Sequence, residues 1–179
     1  MFWKLFLYFV ISIESLEKET GILHKKKNRY TIAFYNLENF FDTKDDPYLL
    51  DDDFTPKGFK RWNKSKFWNK TNKISRAISR IGLEESNHPP VLVGMAEVEN
   101  KGVIKSLLRS KQLRDVDYGT IHFDSPDERG IDTALIYHKE HFEVLDAETI
   151  PLMVQNTNGD RDQSFHGAPV TLAVKIPDG

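Results

Sequence analysis

Between residues 30 and 96 the chain reads strand, helix, strand, and that order constrains the fold more than any other feature of the sequence. "RYTIAFYN" is near-continuously apolar, with Ile32 and Phe34 toward one face and Ala33 and Tyr35 toward the other, as a strand buried on both sides reads. "KSKFWNKTNKISRAISRIG" sets Phe67, Thr71, Ile74, Ile78 and Ile81 on one helical face opposite lysines and arginines, and Gly82 supplies the stop. "PPVLVGM" is a second short buried strand. A crossover of this kind makes its two strands parallel and, as a rule, close neighbours. Their carboxyl ends then share one edge, about 4.8 Å apart, where sheets of this type collect ligands.

The residues at that edge are polar. Asn36 and Glu38 follow the first strand and Glu97 follows the second. A hard cation such as Mg²⁺ takes one or two carboxylates, an amide oxygen and several waters, and these three side chains offer that set. Each also has a plainer reading. Asn36 suits a turn through its local hydrogen bonding, and Glu38 and Glu97 suit a solvated loop. Glu99 reads as structural, placed to support the start of a helix after Asn100.

The rest of the chain supplies more of the same alternation. "KGVIKSLLRS" reads as a helix capped by Asn100, with Val103, Ile104, Leu107 and Leu108 as its stripe. "YGTIHF", "IDTALIY" and "FEVLDAETI" read as strands, the last two joined by the polar turn "HKEH" as a hairpin, and "APVTLAVKI" as one more. Residues 42 to 63 carry aspartates, two prolines and no periodicity, which predicts an irregular excursion over the rim. Its aspartates lack the spacing of an EF-hand loop and read as solvated. Phe59, Trp62, Phe67 and Trp68 are expected to pack that insert, and the histidines have no convergent partner by spacing.

Composition closes off several classes. With 179 residues there is room for one domain with a sizeable core. No cysteine is present, which removes disulfides, thiolate metal sites and a cysteine nucleophile. The formal net charge of -2 gives no global field for a polyanion, so any such binding needs a local patch. At the N-terminus, "MFWKLFLYFVISI" has a lysine ahead of an apolar run too short to span a bilayer and about right for a signal segment, without a small-residue cleavage site after it. Residues 1–28 therefore read as a flank outside the fold, either a signal or anchor or an N-terminal helix or start-site artefact, and 29–179 as a partial domain. A signal there would imply a secreted or periplasmic protein.

"YNLENFFD", then "LVGMAEVEN", then "SPDERGIDTALIY", with "DDDFTPKGFKRWN" between the first two, resemble the endonuclease/exonuclease/phosphatase superfamily, and within it a bacterial subgroup. The resemblance implies a four-layered α/β sandwich of two packed β-sheets flanked by helices, and hydrolysis of a phosphate ester with Mg²⁺ or Mn²⁺. It implies that Asn36 positions the scissile phosphate, that Glu97 binds the ion with Glu38 nearby, and that Arg129 and Arg161 contact phosphate. Nucleic acid is among the substrates it brings in. The family's later motifs, an Asn-His pair, an Asp-x-Asn and an Asp-His, are not found in these residues, so the chain reads as the front half of the sandwich, apparently truncated. Its expected state is inactive alone and self-associating through open sheet surface. The alternatives are a non-catalytic polyanion-binding module and a gene fragment without function.

Overall fold

The computed structural model describes residues 6–19, 22–148, 150–155, 161–167 and 170–174, and side chains over 28–148. Five strands make the main sheet: β1 (Phe6–Glu19), β2 (Ile22–Phe40), β3 (Leu92–Val98), β4 (Tyr118–Phe123) and β5 (Asp132–His138), in the order β1-β2-β3-β5-β4. The strands β2 and β3 are parallel, as the crossover requires, while β5 runs antiparallel to both β3 and β4, and β1 antiparallel to β2. Three helices accompany them: α1 (Lys64–Ile78), α2 (Leu83–Ser86) and α3 (Lys101–Leu108). The described architecture is thus mixed α/β, as the sequence pattern and the sandwich expectation have it.

Both longer helices begin and face as their sequences dictate. Asn63 caps α1 by accepting from Lys66 N, and Asn100 caps α3 by accepting from Gly102 N and Val103 N at 2.7 and 3.0 Å. The α1 stripe of Phe67, Thr71, Ile74 and Ile78 is buried, and so is that of α3, Val103, Ile104 and Leu107. They close over Ala33, Tyr35, Val93, Met95, Ala134 and Ile136, which alternate along β2, β3 and β5 on one face of the sheet. Gly82 follows α1 with φ +65°, and a Cβ there would lie 2.1 Å from Oγ1 of the fully buried Thr31, so only glycine lets the helix return this close to β2.

Several segments differ from the sequence reading. Residues expected as a flank are in part strand: Phe6–Glu19 pairs with β2, whose own range reaches back to Ile22. Its apolar run is rich in Phe, Tyr, Val and Ile, the types that suit a pleated surface. Among the described residues no helix is long and apolar enough to cross a membrane. The "HKEH" turn does not close a hairpin, because β6 (Phe142–Ala147) leaves the main sheet and pairs with β9 (Val170–Val174). "FEVLDAETI" is split, its end contributing to β7 (Ile150–Gln155), which pairs with β8 (Arg161–Gly167). A local turn signal cannot report which sheet the next strand joins.

The excursion over 42–63 belongs to no sheet, as expected, yet it is held by its own packing. Phe41 stacks on Phe54 at 4.3 Å, and the Trp62 indole donates to Phe41 O at 3.0 Å. Asp51, read as solvated, is buried and accepts from Asp46 N, and Leu50 N donates to Glu128 O in the loop between β4 and β5. Of the four aromatic residues expected to pack, Phe67 is buried and Trp62 half-buried, while Phe59 and Trp68 are exposed. Tyr48 and Phe59 stand out to solvent, so brief chymotrypsin treatment should cut after one of them before any described strand is cleaved; a first cut within β2 to β5 would contradict this.

At the opposite end of the sheet Tyr30, His88, His138 and His141 meet ring to ring, with His138 and His141 4.9 Å apart. Burial holds the His138 and His141 imidazoles below their ordinary value, with His88 adding to the effect and Glu140 opposing it, as does Asp117 at His138. A histidine depressed in the fold is protonated more readily in the unfolded chain, so stability is lost as pH falls through the depressed range. Lowering pH from about 7.5 to about 5.5 should shift Tm less favourably in wild type than in His138→Gln/His141→Gln, a difference untouched by the opposite contribution of the raised Glu99 carboxyl, which both proteins share. An equal shift in both would refute the linkage.

Candidate phosphate and metal site at the sheet rim

Two bulges build the rim. Pairing of β2 with β3 runs in register through Asn36↔Ala96, breaks, and resumes at Phe40↔Val98. On the other side β3 pairs with β5 through Ala96↔Thr133 and resumes at Val98↔Asp132, so Glu97 is the residue left over between its two neighbours. Glu38, Asn39 and Glu97 all adopt left-handed backbone, with φ of 54°, 61° and 60°. Non-glycine residues there cost on the order of 1 kcal/mol or more each, and such strain gathers where it re-aims a side chain.

What the bulges aim is a carboxylate against an amide. Asn36 Nδ2 donates to Glu97 Oε1 at 2.9 Å, and Asn39 N donates to Glu97 Oε2 at 2.8 Å. The Asn36 carbonyl in turn accepts from Glu38 N at 2.7 Å. Each carboxylate oxygen therefore has one fixed donor and lone pairs to spare, and the Asn36 amide keeps a second N–H. From α1, Lys70 Nζ reaches under the bulge and donates to the carbonyls of Glu38 and Asn39 at 2.5 and 3.0 Å. The helix face thus holds the strained pair in place.

Glu99 lies next to this set and has a larger part than a helix-start residue. Its Oε2 accepts from Asp42 N, which fastens the beginning of the excursion to β3's exit. Burial pushes its carboxyl up to about 7, and the charges of Asp42, Asp51 and Asp46 add to the rise against the Asp42 N–H. Asp42 itself is reached by Asn100 Nδ2 at 3.4 Å. Nothing in the spacing of "EVEN" separates Glu97 from Glu99; the bulge does, by turning one to the rim and the other inward.

Of the five residues singled out from the sequence, the structure brings Asn36 and Glu97 into direct contact and joins Glu38 to Asn36 through its backbone. Arg129 stands on the loop between β4 and β5, its guanidinium bound to Asp127 by Nε at 3.1 Å and Nη2 at 3.0 Å. Hydrogen bonding to Asp127 raises it above its ordinary value, burial opposes, and the charge of Glu97 adds, which places Arg129 within electrostatic reach of the rim. Arg161 opens β8 opposite Gln155, and its side chain lies outside the described residues.

Sequence reasoning passed over His122. Its ring is buried beside Asp132, and the two meet only because β4 and β5 pair with His122 opposite Ala134, two residues along the same face. No signal in the spacing of "HFDSPDERGID" could have fixed that register. A comparison with curated proteins gives no match. A family model, that of the endonuclease/exonuclease/phosphatase family, matches residues 31–167, a span that holds the crossover, both bulges and the Arg129 loop, and the chain belongs to that family.

Proposed function

We propose that the rim around Glu97 binds a divalent ion, Mg²⁺ or Mn²⁺, and a phosphate ester, and serves metal-dependent phosphoester hydrolysis, the activity that goes with the family. The observation that carries this is the 2.9 Å contact between Asn36 and Glu97 within paired bulges. An all-oxygen donor set with oriented carboxylate lone pairs fits a hard cation. Glu97 would hold the ion, with Glu38 as the second acidic group. When bound, the ion supplies neutralisation of charge on the phosphoryl oxygens.

The chain's own groups do the positioning. Asn36 directs its second amide N–H toward a phosphate oxygen while Glu97 holds the amide's orientation. Arg129 retains donors not used by Asp127 and brings positive charge to the same edge. Ester class and leaving group are chosen by what lies over the rim, and phosphodiesters, nucleic acid included, are the first to try. Among the described residues no histidine makes a hydrogen bond with Asn36 or Glu97.

The test uses the full chain. Calorimetric titration with Mn²⁺ should show one site that is lost in Glu97→Gln, and metal-dependent hydrolysis of double-stranded DNA or bis(p-nitrophenyl) phosphate should be lost with it. Turnover or Mn²⁺ binding that survives Glu97→Gln unchanged would overturn the assignment.

A further inference from the structure

His122 is a buried ring with two dissatisfied nitrogens. Its side chain is 1% exposed, Asp132 beside it 4%, and Asp124 95%. Nε2 lies 3.0 Å from Asp132 Oδ2 and Nδ1 3.7 Å from Asp124 Oδ1, yet neither nitrogen makes a hydrogen bond. At 3.0 Å that failure is one of direction: the carboxylate oxygen stands off the axis along which an N–H would point. A buried polar atom left this way calls for a missing partner such as a water or an ion.

We propose that His122, Asp132 and Asp124 form a second metal site, for a first-row transition ion of the Zn²⁺ type. Two ligands that share one ion at about 2.1 Å lie about 3.0 to 3.4 Å apart, between right-angled and tetrahedral coordination, and off each other's lone-pair axis. The Nε2 and Asp132 Oδ2 pair has that separation and that offset. Donor atoms of all three residues fall within 4.8 Å of one another. Asp124 lies nearest the other ring nitrogen, Nδ1, so its exposed side chain must swing round to reach an ion on Nε2, and water completes the shell. Asp132 is already oriented, because its Oδ1 accepts from Ser125 N at 2.6 Å, the outer hydrogen bond that metal-bound carboxylates keep.

One imidazole nitrogen with two carboxylates selects differently from the rim. Imidazole suits Zn²⁺ and its spectroscopic substitute Co²⁺, whereas Glu97, Glu38 and Asn36 offer oxygen alone and suit Mg²⁺ or Mn²⁺. The consequence of filling this site lies in the loop it closes. Ser125 Oγ accepts from Asp127 N and donates to Ile131 O, and Asp127 holds Arg129, so an ion that fixes Asp132 and Asp124 stiffens the segment carrying the arginine. The site does not depend on the phosphoesterase reading.

The experiment titrates Co²⁺ into chelator-stripped full-length chain with excess Mg²⁺ present, following visible d–d absorption, with Zn²⁺ as competitor. One tight Co²⁺ site displaced by Zn²⁺ is expected. Asp124→Asn, a change at an exposed position, should weaken it by about tenfold or more; His122→Gln, checked as folded by circular dichroism, should abolish it; Glu97→Gln should leave it intact. Absence of a Co²⁺ band in wild type overturns the proposal. So does a band that ignores Asp124→Asn and His122→Gln, or one removed instead by Glu97→Gln or by His138→Gln in the other histidine cluster, His138, Glu140 and His141.

Discussion

Glu97→Gln is expected to remove ion binding at the rim and to lower any metal-dependent turnover by at least about a hundredfold, a loss on the order of 3 kcal/mol in transition-state stabilisation. The substitution is isosteric, so its effect is chemical. In the native rim both carboxylate oxygens accept, one from Asn36 Nδ2 and one from Asn39 N. A glutamine offers one oxygen and one NH₂, and so faces a donor with a donor on one side whichever way it turns. Leaving a part-buried N–H unpaired costs about 1–3 kcal/mol, on top of the lost ligand charge. The variant should therefore also melt at lower temperature in the absence of metal, and ion binding must be measured well below its Tm. Native Tm together with native Mn²⁺ affinity would show that Glu97 neither binds the ion nor organises the bulge.

That adjacency was legible in the sequence because it follows from topology alone. A crossover makes β2 and β3 parallel neighbours, and residues just past two apolar runs must then meet. The helix faces were legible for a similar reason, since Phe67, Thr71, Ile74 and Ile78 declare one period over about three turns. What could not be read was the backbone that makes the meeting useful. Of Glu38, Asn39 and Glu97 only the asparagine is a type that favours positive φ, and the two glutamates have that conformation imposed by the register breaks on either side of β3. Burial of Glu99, the contact of His122 with Asp132, and the departure of β6 to pair with β9 all depend on non-local register, which hydrophobic pattern leaves open. Asp51 was misjudged for a related reason: a carboxylate in a polar run looks solvated until the run is seen to fold on itself.

The second large effect is expected from a residue that touches neither ion nor substrate. Lys70→Met should cost about 2–4 kcal/mol of stability, from loss of hydrogen bonds made by a charged donor, and should weaken Mn²⁺ binding about tenfold although every proposed ligand remains. Its ammonium donates to the carbonyls of Glu38 and Asn39, consecutive residues in left-handed backbone. Those carbonyls point toward α1 because the chain is turned there, and without a donor the turned form loses its main compensation against relaxing to ordinary strand. Relaxation would carry Asn39 N away from Glu97 Oε2 and Glu38 N away from Asn36 Oδ1, releasing both members of the site. Methionine keeps most of the stem's length but removes the ammonium that sits 5.5 Å from the centroid of the Trp62 ring, so the loss is chiefly electrostatic. Lys70→Arg provides the control, since it keeps the charge and more than one donor and should recover part of the ion affinity. If Lys70→Met lowers Tm and leaves Mn²⁺ affinity at the wild-type value, the lysine supports the fold alone and the left-handed pair is held by the sheet itself.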